Sequence, residues 1–126
     1  MPHVILEGPV DLEKFYAEYQ PLSLKADNEI LKLQIIFISQ AGDMALIEGL
    51  AIESGPPSRF FIQIISKNAR TTVKLYPWPD PEKTPGVKKL TALVARQLKA
   101  QSPAIKYGTT NLKDFLSAPC PESSAL

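Results

Sequence analysis

Pro2 follows the initiator methionine and stands directly before an apolar run, "HVILEG". Once Met1 is removed, its nitrogen becomes a secondary amine at the chain terminus. Ordinary terminal amines titrate near pH ~8, and burial in an apolar site or a nearby cation lowers that value. An amine poised near neutrality is a good general base. It can take a proton from the carbon beside a carbonyl and return it to another carbon. A cationic side chain beside it would hold a substrate carboxylate and stabilise the developing enolate. Proline is small enough for removal of the preceding methionine to be usual. The plain alternative is structural: proline opens a strand at no cost, because its missing N–H is harmless there. The residues leave both readings open.

Other chemistries have fewer parts. His3 is the one imidazole and Cys120 the one thiol. An internal disulfide and a metal site built from two histidines are therefore excluded, and neither metal nor cofactor is expected. The six glycines are scattered and form no phosphate-binding loop. No serine lies in a nucleophile elbow. Trp78, in "LYPWP", is either a packed loop anchor or part of an exposed recognition patch.

A chain of 126 residues is the usual size of one domain, and can bury roughly two thirds of its unfolded surface. With 44% apolar and 21% charged residues it has the composition of a globular protein. The net charge of +1, without a block of like charges, gives no reason to expect nucleic acid or an anionic membrane as partner. No apolar run approaches the roughly 18 residues that span a bilayer, and no segment reads as a signal peptide. Cytoplasmic residence is the expectation.

The 12 prolines punctuate the chain and leave 22–55, 58–76 and 86–102 free of them. Regular structure belongs in these gaps, because interior prolines break helices and sheet ladders. Residues 3–8 read as a short strand. Asp11 can cap a helix over 11–20, in which Leu12, Phe15, Tyr16 and Tyr19 share one face. Strands are expected at 30–39, at 44–54 with Gly49 as a bulge, at 59–67 and at 71–78. The segment 77–85 is a stiff proline-rich loop. Val87, Leu90, Leu93, Val94 and Leu98 mark a second amphipathic helix over 86–100. One more short strand, with a final turn at 111–116, precedes a tail over 117–126 expected to be disordered. The order β-α-β-β-β-β-α-β predicts a single α+β domain over 1–116. Its mostly antiparallel sheet would carry both helices on one face, in a ferredoxin-like unit with an extended hairpin.

"MPHVILEG", followed by an amphipathic helix and a long apolar strand, resembles the tautomerase superfamily. That superfamily includes carboxymethyl-hydroxymuconate isomerase and macrophage migration inhibitory factor. Members of the isomerase branch also begin Met-Pro-His before an apolar strand ending near a glutamate, here Glu7. By motif the match covers roughly residues 1–8; beyond them it rests on the order of elements. The resemblance implies a keto–enol tautomerase acting on a small α-keto acid, with Pro2 as catalytic base, no cofactor, and an intimate trimer. It also implies a basic residue that binds the substrate carboxylate. Lys32 is the nearest candidate, with Arg59 and Arg70 as alternatives, and the plainer reading of each is a solvated strand or turn charge. The four-stranded meander and the insertion at 68–85 depart from the family pattern.

The alternative function is a non-catalytic α+β module for binding or oligomerisation. Ile35, Ile36, Phe37 and Ile38 run consecutively, as do Phe60, Phe61 and Ile62. Neighbouring strand residues point to opposite faces, so both faces of the sheet are apolar there. Helices on one face leave the other to meet a further subunit, and a homo-oligomer is the expectation.

Overall fold

The computed structural model of the chain describes residues 1–26, 28–78 and 80–117, and the backbone of 124–125. In chain order these form β1 (His3–Glu7), α1 (Leu12–Glu18), β2 (Leu22–Ala26), β3 (Glu29–Ile38), β4 (Met44–Ile52) and β5 (Ser58–Lys67). There follow β6 (Arg70–Leu75), α2 (Pro85–Lys99), β7 (Lys106–Thr110), α3 (Lys113–Ser117) and the two-residue β8 (Ser124–Ala125). One sheet holds all eight strands in the order β7-β1-β6-β5-β4-β3-β2-β8. Every pairing in it is antiparallel.

Strands β2 to β6 form a meander because the links between them are short and polar. At the β5–β6 turn, Asn68 and Ala69 both take positive φ, 54° and 57°, the backbone hand that matches strand twist in a two-residue hairpin. Alternation then sorts the side chains. Ala45, Ile64, Val73 and Val4 lie side by side on the inner face, as do Ile47, Ile62 and Leu75, and all are buried. Helix α2 packs on this face and touches β1, β3, β4 and β6. In a flat sheet β1 and β3 would lie about 19 Å apart, wider than one helix. The sheet curls around the helices, and its seven longer strands form a half-barrel, with the two-residue β8 beyond β2.

Local chemistry sets the helix limits. Asp11 caps α1 by accepting from the Lys14 N–H at 3.0 Å. The helix stops at Glu18, short of the expected residue 20, because Tyr19 turns extended ahead of Pro21. Thr84 caps α2 and Pro85 opens it, where a missing N–H is harmless. On α2, Val87, Leu90, Thr91, Val94, Ala95 and Leu98 are buried.

The expected ferredoxin-like or tautomerase-like arrangement of two helices on a β-α-β-β-β-β-α-β frame is overturned. Such a unit is a split β-α-β, in which the helix joins two strands with one other strand between them, whereas here β6, β5, β4 and β3 all lie between β1 and β2. After α1 the chain does not return beside β1 but crosses to the far edge to start β2. That strand was hidden in "PLSLK", whose two leucines alternate with Ser23 and Lys25 over only five residues. A third short helix, α3, replaces the expected final turn. The expected bulge at Gly49 is also corrected. Gly49 pairs regularly with Leu33 and Phe60, and the register shift falls on β3 between Leu33 and Ile36. Of the tail expected to be disordered, Ser117 ends α3 and the backbone of Ser124–Ala125 pairs with β2. Residues 118–123 and 126, Cys120 among them, lie outside the described residues. Among the described residues, no helix is long and apolar enough to cross a membrane.

Candidate functional site

Pro2 is buried at the threshold of β1, and its carbonyl accepts from the Leu75 N–H at 3.1 Å. Its nitrogen is in peptide linkage to Met1, so it carries no basic lone pair. Met1 is itself held: its carbonyl accepts from Asn111 Nδ2 at 2.8 Å and lies 3.1 Å from His3 Nδ1. The Asn111 Oδ1 in turn accepts from the His3 N–H at 2.9 Å. Asn111 thus fastens the chain start to the link between β7 and α3.

The three expected carboxylate binders are dispersed, and none is brought to Pro2. Lys32 is on β3, four strand steps or about 19 Å across the sheet from β1. Arg59 is the second residue of β5, two steps away and about 13 Å further along the strand than the residue level with His3. Arg70 pairs with Glu7 at the opposite end of β1, about 17 Å along the strand from Pro2. All three alternate with buried neighbours and face outward, whereas Pro2 is buried two residues before the inward Val4. Two of them are already engaged, Arg59 with Glu48 at 3.6 Å and Arg70 with Glu7 at 3.2 Å. Among the described residues, no group of acidic, histidine or cysteine side chains could hold a metal ion.

A cleft of about 510 Å³ opens beside α1 and the C-terminal half of α2, lined by Phe15, Glu18, Tyr19, Leu22, Gln97 and Gln101. Its best-defined polar group is structural. The Tyr19 hydroxyl donates to the Gln34 carbonyl at 2.9 Å, at the register shift where β3 loses its regular pairing. Burial pushes the Tyr19 pKa up to about 12, so the phenol stays protonated as a donor. Glu53, at the end of β4, is the other working carboxylate. It accepts from the Gly86 N–H at 2.8 Å and from the Thr84 hydroxyl, so it anchors the start of α2.

What remains open is the outer face of the sheet. The β3 register shift divides its apolar run, sending Ile36 and Ile38 to the core and Ile35 and Phe37 outward. Ile35 is 56% exposed and Phe37 53% exposed. Phe37 pairs with Leu46, Leu46 with Gln63, and Met44 with Ile65, so these side chains adjoin across β3, β4 and β5. Phe61, outward between Phe60 and Ile62, is followed in the ladder by Tyr76, whose N–H donates to the Phe61 carbonyl at 2.8 Å. Beyond it Trp78 is 73% exposed, which decides between the two readings of that residue: it is not a packed anchor. At the β2 edge of the same face, the buried Ser23 Oγ has no hydrogen-bond partner among the described residues. Runs of apolar residues in the sequence signalled two apolar faces. The assignment of each residue to a face was not legible, because it depends on the register shift.

Comparison with protein-family descriptions, with curated proteins and with solved structures finds no match to this chain.

Proposed function

We propose that this chain is a non-catalytic binding module whose working surface is the outer face of its curled sheet. The observation that carries the reading is the exposure of Ile35, Phe37 and Met44 in one neighbourhood, continued by partly covered Leu46, Phe61 and Ile65. Contiguous apolar surface of this kind marks a site of association. A homo-oligomer, a trimer included, is one assembly that would cover it. The test is a paired substitution, Ile35→Ser with Phe37→Ser. Both side chains are more than half exposed, so the fold should persist by circular dichroism. Association at micromolar concentration, or binding of a hydrophobic dye, should fall. A wild-type protein that neither associates nor binds the dye would sink the proposal.

A second reading keeps the N-terminal proline base that the tautomerase resemblance implies. In its favour is the burial of Pro2: an amine freed there would be desolvated, which favours the neutral form a base requires. Substrate binding would then need a cation other than the three outward-facing ones, or one from another subunit. Intact mass decides whether the amine exists, and enolisation of phenylpyruvate decides whether it acts. Loss of the base in Pro2→Ala should cost about 10²–10⁴ in rate.

A further inference from the structure

The outer face is charged in one direction. Seven cations point outward from it: Lys25, Lys32, Arg59, Lys67, Arg70, Lys74 and Lys106, each alternating with buried or inward neighbours. Its carboxylates are Glu48, paired with Arg59, and Glu7, paired with Arg70. Lys25, Lys32, Lys67, Lys74 and Lys106 therefore have no carboxylate partner among the described residues. Since the whole chain carries only +1, the remaining surface is net acidic. These lysines flank the apolar centre rather than enter it. Lys32 and Arg59 stand on either side of Leu50, Lys74 lies beyond Gln63, and Lys67 ends β5. An apolar centre with a charged margin is the anatomy of a protein-binding surface.

We propose that the outer face docks an acidic protein segment with an apolar side, such as an amphipathic helix bearing carboxylates at its margins. The inference rests on the binding-module reading above and names the partner for that surface. Charge complementarity selects this occupant. A second copy applied face to face would use the same patch on both copies and so bring two faces of net positive charge together, which is repulsive. An anionic membrane fits less well. Glu48 stands inside the apolar patch, and Leu46, Phe61 and Ile65 lie partly covered in the sheet. Entry into the headgroup boundary takes side chains that reach about 5–10 Å inward.

The test uses fluorescence anisotropy of the full chain with a labelled amphipathic helical peptide of leucine and glutamate. A leucine–lysine counterpart and vesicles containing phosphatidylglycerol are run in parallel. The leucine–glutamate peptide should bind, and added salt should weaken it. The double variant Lys32→Glu/Lys74→Glu should weaken it at least about tenfold, and Phe37→Ser should weaken it as well. Lys113→Glu, on α3, should leave binding within about twofold, because that residue is on another surface. Equal loss in Lys113→Glu would overturn the assignment to this face. If both peptides bind alike and Phe37→Ser removes both, the charge inference falls while the binding-module reading stands. Binding to vesicles but not to the peptide would overturn it in favour of a lipid surface. A wild-type dimer in light scattering that Phe37→Ser abolishes and Lys32→Glu/Lys74→Glu leaves intact would overturn it in favour of a second copy. If nothing binds and Phe37→Ser changes no association, both readings fall.

Discussion

Tyr19 ties the end of α1 to the register shift between β3 and β4, and its ionisation has a definite sign. Only the neutral phenol can donate to the Gln34 carbonyl. Burial holds its pKa near 12 against the ordinary value of 10. The folded protein therefore binds more protons than the unfolded chain between pH 10 and 12, and stability falls as pH rises through that window. Its contribution is fully present below pH 10. Unfolding free energies of wild type and Tyr19→Phe from urea titration should differ by about 1 kcal/mol at neutral pH. The wild-type advantage should shrink as pH rises above 10 and be lost before pH 12, because the variant has no phenol to ionise. A constant difference across the range would refute the account. Gly49 is a second residue with a sharp expectation. A Cβ there would come within 2.5 Å of the Phe60 ring, which is fully buried beneath it. Gly49→Ala should cost about 1–3 kcal/mol through overpacking. Phe60→Leu should make the two changes non-additive, since it removes the atom that clashes. Additive losses in denaturant titration would show that the ring is not the obstacle.

Two elements depend on single contacts at their ends. Helix α2 begins where Glu53, directly after β4, accepts from Gly86 and Thr84, so one carboxylate joins the sheet to the helix that fills it. Glu53→Ala leaves those donors short of a partner. It should cost about 1–3 kcal/mol, with hydrogen exchange accelerated in the first turn of α2 before the rest. Gly86→Ala should be comparable, because a Cβ there would come within 2.7 Å of the Glu53 carboxyl. Uniform acceleration along α2 would place the loss elsewhere. The β5–β6 hairpin carries the opposite opportunity. Ala69 adopts φ of 57°, a hand that costs a residue with Cβ roughly 1–2 kcal/mol. Ala69→Gly relieves this and loosens the unfolded chain, so the net gain should be about 0.5–1 kcal/mol in thermal or urea unfolding. A loss would mean that the turn is not strained.

At the scale of the molecule, the curled sheet has one filled face and one open face. The inner face is closed by α1, α2 and a continuous set of buried aliphatic side chains. The outer face presents Ile35, Phe37, Met44 and Trp78 to solvent with lysines around them. Stability and binding should therefore separate. Outer-face substitutions such as Ile35→Ser should shift the unfolding midpoint by about 0.5 kcal/mol or less while weakening association. Inward neighbours such as Ile47→Ala should cost about 2–5 kcal/mol. A large stability loss from Ile35→Ser would show that this face is covered within the single chain.

Most strands were legible in the sequence because alternation and β-branched runs are local properties, and Asp11 caps α1 through a contact three residues long; β2 was not, and the start of α2 at Thr84 and Pro85 was read as loop. The helices differ from expectation at their ends, by two residues at the close of α1 and by one at each end of α2. Pairing is not local. The placement of β2 at the far edge, the insertion of β1 between β6 and β7, and the curl around α2 depend on contacts between residues far apart in the chain. A β-α-β-β order is compatible with several such solutions, and the ferredoxin-like one was not the one taken. The candidate site divided in the same way. The types of Pro2, Lys32, Arg59 and Arg70 suit proton transfer and carboxylate binding wherever they stand, but chemistry needs them within hydrogen-bond reach of one substrate. Sheet order sets three of them on separate strands of the outer face and Pro2 at the buried start of β1. The apolar outer face was half legible: composition required apolar residues on both sides of the sheet. Only the register shift in β3 decided that Ile35 and Phe37 would be the ones left in water, because one displaced residue exchanges the faces of all that follow.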